Sequence, residues 1–408
     1  MSGIIIIGAS HAGLSCLEKL RQFGYEGQIT LIERDKGLPI QRPPLSKAYL
    51  WADEADEESY ALRRPAFFEQ MQVDFRDGVS VAQIKADDRQ IVLSDGTLLD
   101  YTNLIIATGA TPRHLPNLSK DITGIHVLRT AEDARALRAS MSDTTSAIVI
   151  GGGYIGLEAA ASLTKHGIQV HVLELADRLL ARVASAPISE FYAALHGEHG
   201  VEVHLGAMAH SFETKEGKIS SVVLNDGRKI DCQMLLVGIG VNPDMALAQE
   251  AGLDTGNGIL VDADYRTTAQ SIFAIGDVAC SEARWGMRIE SIHHAQFSGA
   301  LVASILTEAK PPVNEAAWFW SDQYDVKLQI AGLLPPADTP GLVHQRRVGR
   351  KDGSFSIWSW QDGILKAVES ANDPKAYMVG KTCLEKGIHP TIEQIADDNI
   401  DLKMLISG

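Results

Sequence analysis

The sequence predicts an α/β protein: two parallel-sheet βαβ units of one design, with a smaller α+β domain behind them. Three observations lead there. An apolar run, Ile4–Ile7, meets the turn Gly8-Ala9-Ser10-His11-Ala12-Gly13 and then a helical stripe at Leu14, Leu17 and Leu20. The same order is written again at Ala147–Ile150, Gly151-Gly152-Gly153-Tyr154-Ile155-Gly156 and Leu157–Lys165. After Pro311-Pro312 the composition shifts, and Trp318, Trp320, Trp358 and Trp360 gather.

Each unit then runs to completion. Gly24 closes the first helix, and Ile29–Ile32 reads as the next strand, ending in Glu33. Gly167 closes the second helix, and Val170–Leu173 ends in Glu174. A hairpin-like segment follows both: Ile91–Gly96 before Tyr101–Gly109, and Val222–Gly227 before Cys232–Gly240. A later strand, Ser271–Ile275, stops on Gly276-Asp277. Strand-like runs at 326–333 and 354–360, with helical runs after them, fill the last domain. The acidic stretch 53–58 reads as a solvated loop or helix start.

Composition narrows the function. The chain is 45% apolar and 22% charged, ordinary for a globular protein. Its net charge of −15 argues against a nucleic-acid partner, which needs a basic face. No apolar run is long enough for a membrane helix, and no basic flank or cleavage site marks a signal peptide, so the expected location is the cytoplasm. Cys16, Cys232, Cys280 and Cys383 form no C-x-x-C pair and read as buried thiols. No metal site is expected: His293-His294 has no further ligand at suitable spacing.

The two turns carry the chemistry. A glycine-rich βα turn lets backbone approach a pyrophosphate, and the helix behind it aims free N–H groups at the phosphates. Gly8 and Gly13 keep that design, with Ser10 in place of the second glycine. Glu33 stands where an acid accepts from ribose hydroxyls. The second turn is complete at Gly151, Gly153 and Gly156, and Glu174 favours NADH by repelling a 2′-phosphate. Arg178 and Arg182 lie just beyond it. Two dinucleotide sites in one chain point to hydride transfer from nicotinamide to flavin, hence FAD and NADH.

The string Arg42-Pro43-Pro44-Leu45-Ser46-Lys47 resembles the signature of the flavoprotein ferredoxin reductases of bacterial oxygenase systems, the putidaredoxin-reductase and biphenyl-dioxygenase-reductase type. Ala107-Thr108-Gly109-Ala110, Leu128-Arg129-Thr130, Gly151–Ala159, Gly238-Ile239-Gly240, Ile275-Gly276-Asp277 and Phe319-Trp320-Ser321-Asp322-Gln323 follow in the family's order. The resemblance implies a glutathione-reductase-like flavoprotein with an FAD domain at 1–108 and 241–316, an NADH domain at 109–240 and a C-terminal domain at 317–408 covering the flavin.

It also implies roles. FAD would be held by Gly8, Ser10, His11, Ala12, Gly13, Glu33, Arg34, Arg42, Val81, Ala107, Thr108, Gly109, Arg129, Gly276, Asp277 and Ile292. NADH would be held by Gly151, Gly153, Tyr154, Ile155, Gly156, Glu158, Glu174, Gly238, Ile239, Gly240 and Glu290. Lys47 would reach the flavin N5 edge, Glu158 the nicotinamide carboxamide and ribose, and Trp320 the face of the isoalloxazine; these three are the expected catalytic residues. His294 stands where the family usually has Asn, near the flavin pyrimidine edge.

The implied partner is an iron–sulfur ferredoxin of the [2Fe-2S] kind, feeding a Rieske dioxygenase or a cytochrome P450. Arg63-Arg64 and Arg346-Arg347 with Arg350-Lys351 are candidate docking charges. Oligomeric state is left open. An NADH:rubredoxin reductase remains an alternative. An NADH oxidase or peroxidase is disfavoured because residues 34–48 hold no cysteine. An apoptosis-inducing-factor-like switch protein would need a basic nucleic-acid face, and the charge shows none.

Overall fold

The computed structural model describes residues 3–51, 57–116, 118–119, 121–313 and 315–407. The chain divides into two units: residues 1–41, 54–111 and 241–313, and residues 42–53, 112–240 and 314–408.

The first unit is built on a seven-stranded sheet. Gly3–Ile7 lies at its centre, parallel to Ile29–Glu33 on one side and to the long strand Leu98–Ile106 on the other. All five residues of Gly3–Ile7 are buried, as expected for a strand covered on both faces. The far half of Leu98–Ile106 takes Ile272–Ala274 as a parallel neighbour. Its near half pairs antiparallel with Gln90–Leu93, the hairpin legible in the sequence. The first helix runs His11–Gln22, starting three residues before the apolar stripe suggested. It buries Leu14, Leu17 and Leu20. The helix Ile292–Leu306 packs on it through Gly299, where a Cβ would stand 2.5 Å from the Ala12 carbonyl oxygen.

The second unit repeats the design. Five parallel strands lie in the order Glu202–Leu205, Gln169–Glu174, Ser146–Ile150, Met234–Val237, Ile125–His126. The helix Tyr154–Lys165 follows the second glycine turn. A three-stranded antiparallel sheet, Ala209–Lys215, Lys218–Leu224 and Lys229–Asp231, shares an apolar core with the parallel sheet through Leu173, Val222 and Leu235.

The C-terminal segment forms a five-stranded antiparallel sheet in the order Trp318–Gln323, Val326–Gly332, Ile364–Ala371, Phe355–Gln361, Leu342–Val348. The helix Pro374–Lys386 packs on it. Trp358 and Trp360 are fully buried there, and the Trp360 indole donates to the Pro390 carbonyl at 2.9 Å. Half of the tryptophan cluster is therefore core.

The division departs from the expected boundaries in two places. Residues 42–53 group with the second unit, because Ser46 and Lys47 bond Glu158 and the Tyr49 ring lies under the Arg138 guanidinium at 5.7 Å. Residues 314–408 group with it too. Ser321 bonds Glu158, Gln323 bonds His196, and Glu369 accepts from the Ser185 amide. Glu369 is wholly buried, its second oxygen lacks a partner among the described residues, and burial pushes its carboxyl up to about 7.

Part of the acidic stretch, residues 53–56, lies outside the described residues. Among the described residues, no helix is long and apolar enough to cross a membrane.

Candidate functional site: two glycine turns and a buried carboxylate

The first turn is shaped by what surrounds it. Gly8 adopts φ +107°, and a Cβ there would stand 2.3 Å from the Ala107 carbonyl oxygen. A Cβ on Gly13 would stand 2.0 Å from the Gly8 carbonyl oxygen, so helix and strand close up only on glycine. Ser10 caps the helix with backbone alone: its side chain makes no capping bond, and the first helical turn carries no acid. Free N–H groups and the positive dipole end suit an anion.

Glu33 ends the next strand and braces this turn. One carboxylate oxygen accepts from the Ala9 amide at 2.8 Å and the other from the Asp35 amide at 3.2 Å. A carboxylate has about four acceptor sites, so capacity for ribose hydroxyls remains. Gly276, at φ +69°, brings a Cβ position to 2.8 Å from Ala12 Cβ. The Ser298 hydroxyl accepts its amide at 3.0 Å. Asp277 is thereby set on the 3-10 turn Gly276–Val278, close to the start of the first helix. Its carbonyl accepts from Arg288 at 2.9 Å.

Other residues of the first unit are anchored nearby. Thr108 donates its hydroxyl to the Asp244 carbonyl at 2.8 Å, and Arg34 pairs with the Asp244 carboxylate at 3.1 Å. Val81 starts an edge strand and packs against the core, and Ile292 opens its helix after the Ser291 cap. His294 is buried and bonds the Tyr265 hydroxyl at 2.9 Å. Burial pushes its imidazole down to about 4, with the Asp277 charge opposing, so His294 is neutral at pH 7. Glu290 is not free: it pairs with Arg288 at 2.6 Å.

The second turn reproduces the first. A Cβ on Gly151 would stand 2.3 Å from the Gly238 carbonyl oxygen, and one on Gly156 would stand 2.1 Å from the Gly151 carbonyl oxygen. A Cβ on Gly153 would meet nothing within 4 Å, so this glycine faces open space, as a phosphate-binding turn requires. The helix has no acid in its first turn and no side-chain cap. Glu174 accepts from the Gly152 amide at 2.7 Å and the Ala176 amide at 2.8 Å, matching Glu33 bond for bond. The Arg178 guanidinium is spent on the Ala184 and Ala181 carbonyls and the Ser189 hydroxyl, which leaves it unsuited to a 2′-phosphate. Ile155 is exposed, the Tyr154 ring packs on Phe319 at 4.7 Å, and Ile239 lies against the core. The Gly240 carbonyl accepts from the Arg113 amide.

Three sequence-distant segments meet at Glu158. It lies one turn into its helix rather than in the first turn, and it is 4% exposed. Lys47 pairs with it at 2.6 Å, and the Ser46 and Ser321 hydroxyls donate to its two oxygens, each at 2.6 Å. The Ser162 hydroxyl closes the group on the Ser46 carbonyl at 2.6 Å. Lys47 and Glu158, expected on different cofactors, are thus one ion pair. Ser46 and Ser321 were missed, although both sit inside the motifs quoted for the resemblance. Trp320 precedes Ser321 on the same strand, its ring 5.5 Å from Trp318. Arg42 leads into the 3-10 turn Pro43–Ser46. The Arg129 amide is held by Asp133, the capping-box acid of the helix Ala131–Met141.

Three of the six candidate docking charges hold hydrogen bonds or ion pairs within the chain. Arg347 is buried and donates to the carbonyls of Ile395, Asp397, Asp398 and Ile400. Arg350 pairs with Asp401, and Arg63 with Glu18. All four cysteines are buried and outside any disulfide, and burial raises each thiol, so no thiolate is at hand.

Two phosphate-binding turns of one pattern, each braced by a strand-end glutamate, define a protein built for two dinucleotides. The pyridine nucleotide-disulphide oxidoreductase family model matches residues 2–299, and a reductase C-terminal model matches residues 318–406. The chain belongs to the pyridine nucleotide-disulphide oxidoreductase family; it is an oxidoreductase, and its cofactors are FAD and NADH.

Rhodocoxin reductase of Rhodococcus erythropolis is 40% identical over 99% of this chain and 94% of its own length. Putidaredoxin reductase of Pseudomonas putida is 35% identical over 99% of this chain and 97% of its own length. Among solved structures, the ferredoxin reductase for the CYP199A2 system of Rhodopseudomonas palustris superposes with a TM-score of 0.95 at 37% identity, covering 100% of both chains. The reductase in a covalent putidaredoxin reductase–putidaredoxin complex gives 0.93 at 34% identity, over 100% of this chain and 98% of that one.

Proposed function

We propose that this chain is an NADH-dependent reductase of an iron–sulfur ferredoxin, supplying electrons to a cytochrome P450 or a Rieske dioxygenase in the cytoplasm. The observation that carries the reading is the convergence on Glu158. The segments 42–47, 154–165 and 318–323, which hold the strongest resemblance, share one buried carboxylate. The relatives named for rhodocoxin and putidaredoxin support the partner class.

The residues act by binding, orientation and charge. The backbone amides behind Gly8 and Gly151 would hold the two pyrophosphates, and Glu33 and Glu174 would hold the riboses. Asp277 and Arg129 complete the FAD site, and Tyr154 and Ile155 border the NADH site. Bound FAD supplies the ability to accept two electrons at once and release them singly. Lys47 holds positive charge for the flavin, and Glu158 with its two serines fixes where that ammonium stands. Trp320 would screen the flavin ring from water. Residues 1–108 and 241–316 make the FAD domain in this reading, 109–240 the NADH domain and 317–408 the C-terminal domain.

The test is NADH-driven cytochrome c reduction with and without a [2Fe-2S] ferredoxin. Fast turnover only with ferredoxin is expected. Equal turnover without it, or NADH consumption by oxygen at the same rate, overturns the reading. A rubredoxin arm belongs in the assay, since a rubredoxin-NAD(+) reductase of Pseudomonas putida is 34% identical over 91% of this chain and 96% of its own length. Rubredoxin preferred over ferredoxin would reassign the partner.

A further inference from the structure

A cluster of ligand-type side chains lies outside the glycine turns, on the edge of the second parallel sheet. The strands Gln169–Glu174 and Glu202–Leu205 pair in parallel, with His171 opposite Glu202 and Leu173 opposite His204. Period-two alternation puts His171 on one face of its strand with Leu173, and Glu202 with His204 on theirs. His171 is buried at the rim of the core, His204 is half-buried and Glu202 is exposed. The group opens into a solvent-facing recess lined also by Gln169, Arg228, Lys229 and Asp231.

The geometry fits a metal better than a chain of hydrogen bonds alone requires. His171 Nδ1 lies 3.3 Å from His204 Nε2 and 3.5 Å from Glu202 Oε2. All three ligand atoms lie within 4.8 Å of one another. A tetrahedron with bonds of about 2.0–2.1 Å has edges of about 3.3–3.4 Å, so small rotations complete three corners. The fourth corner faces the recess, where water can occupy it. Two imidazoles and one carboxylate are a donor set for Zn²⁺ and its neighbours rather than for Ca²⁺ or Mg²⁺.

We propose that His171, Glu202 and His204 form a binding site for a divalent transition ion of the Zn²⁺ class. The sequence reading expected no metal site and weighed only His293-His294; this proposal differs from it. The ligands come from two strands with thirty residues of chain between them, so no short spacing motif announces them.

Arg228 is the built-in competitor. Its Nη1 lies 3.4 Å from His204 Nδ1, while its Nε holds Asp226 at 2.6 Å. Donation to Nδ1 favours the tautomer with the proton on Nε2, the atom the ion needs. Binding therefore moves that proton to Nδ1 and releases Arg228 to Asp226 alone.

The experiment uses tag-free, FAD-loaded protein stripped with a chelator. Zn²⁺ uptake is measured against a chromophoric chelator, and Co²⁺ is used for its four-coordinate visible bands. Wild type should take one equivalent at this site and show those bands. His171→Ala and His204→Ala should lose both, Glu202→Gln should bind at least about tenfold more weakly, and Arg228→Ala should bind more tightly. NADH-dependent flavin reduction should be unchanged in His204→Ala and Glu202→Gln, which shows the fold intact. Should His204→Ala lose FAD, the exposed Glu202→Gln carries the comparison. No uptake by wild type, equal uptake by the His171→Ala/His204→Ala double variant, or weaker binding by Arg228→Ala overturns the proposal.

Discussion

Lys47→Met tests the central pair most directly. The ammonium stands 2.6 Å from a Glu158 carboxylate that is 4% exposed. Removing one partner of a buried pair costs about 3–5 kcal/mol, because the other charge is left without compensation. Here the Ser46 and Ser321 hydroxyls still donate, which places the loss near the lower end, about 3 kcal/mol. The double variant Lys47→Met/Glu158→Leu removes the stranded charge and should regain most of that stability, since apolar replacement of a buried pair is often neutral. Urea denaturation of FAD-saturated protein reads both numbers. Stopped-flow mixing with NADH reads function: Lys47→Met should retain FAD yet reduce it at least about tenfold more slowly, which is 1.4 kcal/mol of barrier. A Lys47→Met protein as stable as wild type, or a double variant weaker than the single one, would refute the electrostatic argument. Unchanged reduction kinetics would refute the role for Lys47.

Three further outcomes are expected. Glu174→Ala removes the brace on the Gly152 and Ala176 amides and should weaken NADH by about tenfold or more in a titration while FAD stays bound; equal loss of both cofactors would count against the assignment of the second turn. Glu369 has its folded-state carboxyl raised to about 7 by burial, so its protonated form is favoured by folding. The associated stability is complete below about pH 4.5 and declines by about 3 kcal/mol as pH rises through 7, and Glu369→Gln should flatten that slope in pH-dependent denaturation; an unchanged slope sinks it. Arg347→Met leaves four carbonyls at the C-terminus without their donor and should raise amide exchange over residues 392–406, at a cost of at least about 3 kcal/mol; exchange equal to wild type would show that the guanidinium does not hold that segment.

What could be read from the sequence was local or written twice. The glycine turns show because a positive φ and a Cβ clash leave no other residue at Gly8 and Gly151. Glu33 and Glu174 show because each ends a strand a set distance after its turn. Glu158 was visible as a residue but not as a centre: its partners Ser46 and Ser321 lie 112 and 163 residues away. Nothing in the apolar periodicity registers such a meeting. Arg347 misled for the converse reason. A run of basic residues looks like a surface, yet this side chain turns inward to bind carbonyls. His171 and His204 escaped because strand pairing, not spacing, brings them together.

The way the first unit is threaded sets a timetable for its synthesis. Its sheet needs Ile272–Ala274, and its first helix packs against Ile292–Leu306, some 270 residues after Gln22. At about 5–20 residues per second the opening βα turn waits roughly 15–55 s on the ribosome for its covering helix. Throughout that interval the Ala12, Ser15 and Cys16 side of the helix, on which Gly299 closes, lacks its final neighbour. Overproduction that outruns chaperone capacity should therefore yield aggregates rather than a half-folded nucleotide domain. A circular permutant that starts at residue 241 would shorten the wait, and its soluble yield would report how much that delay costs.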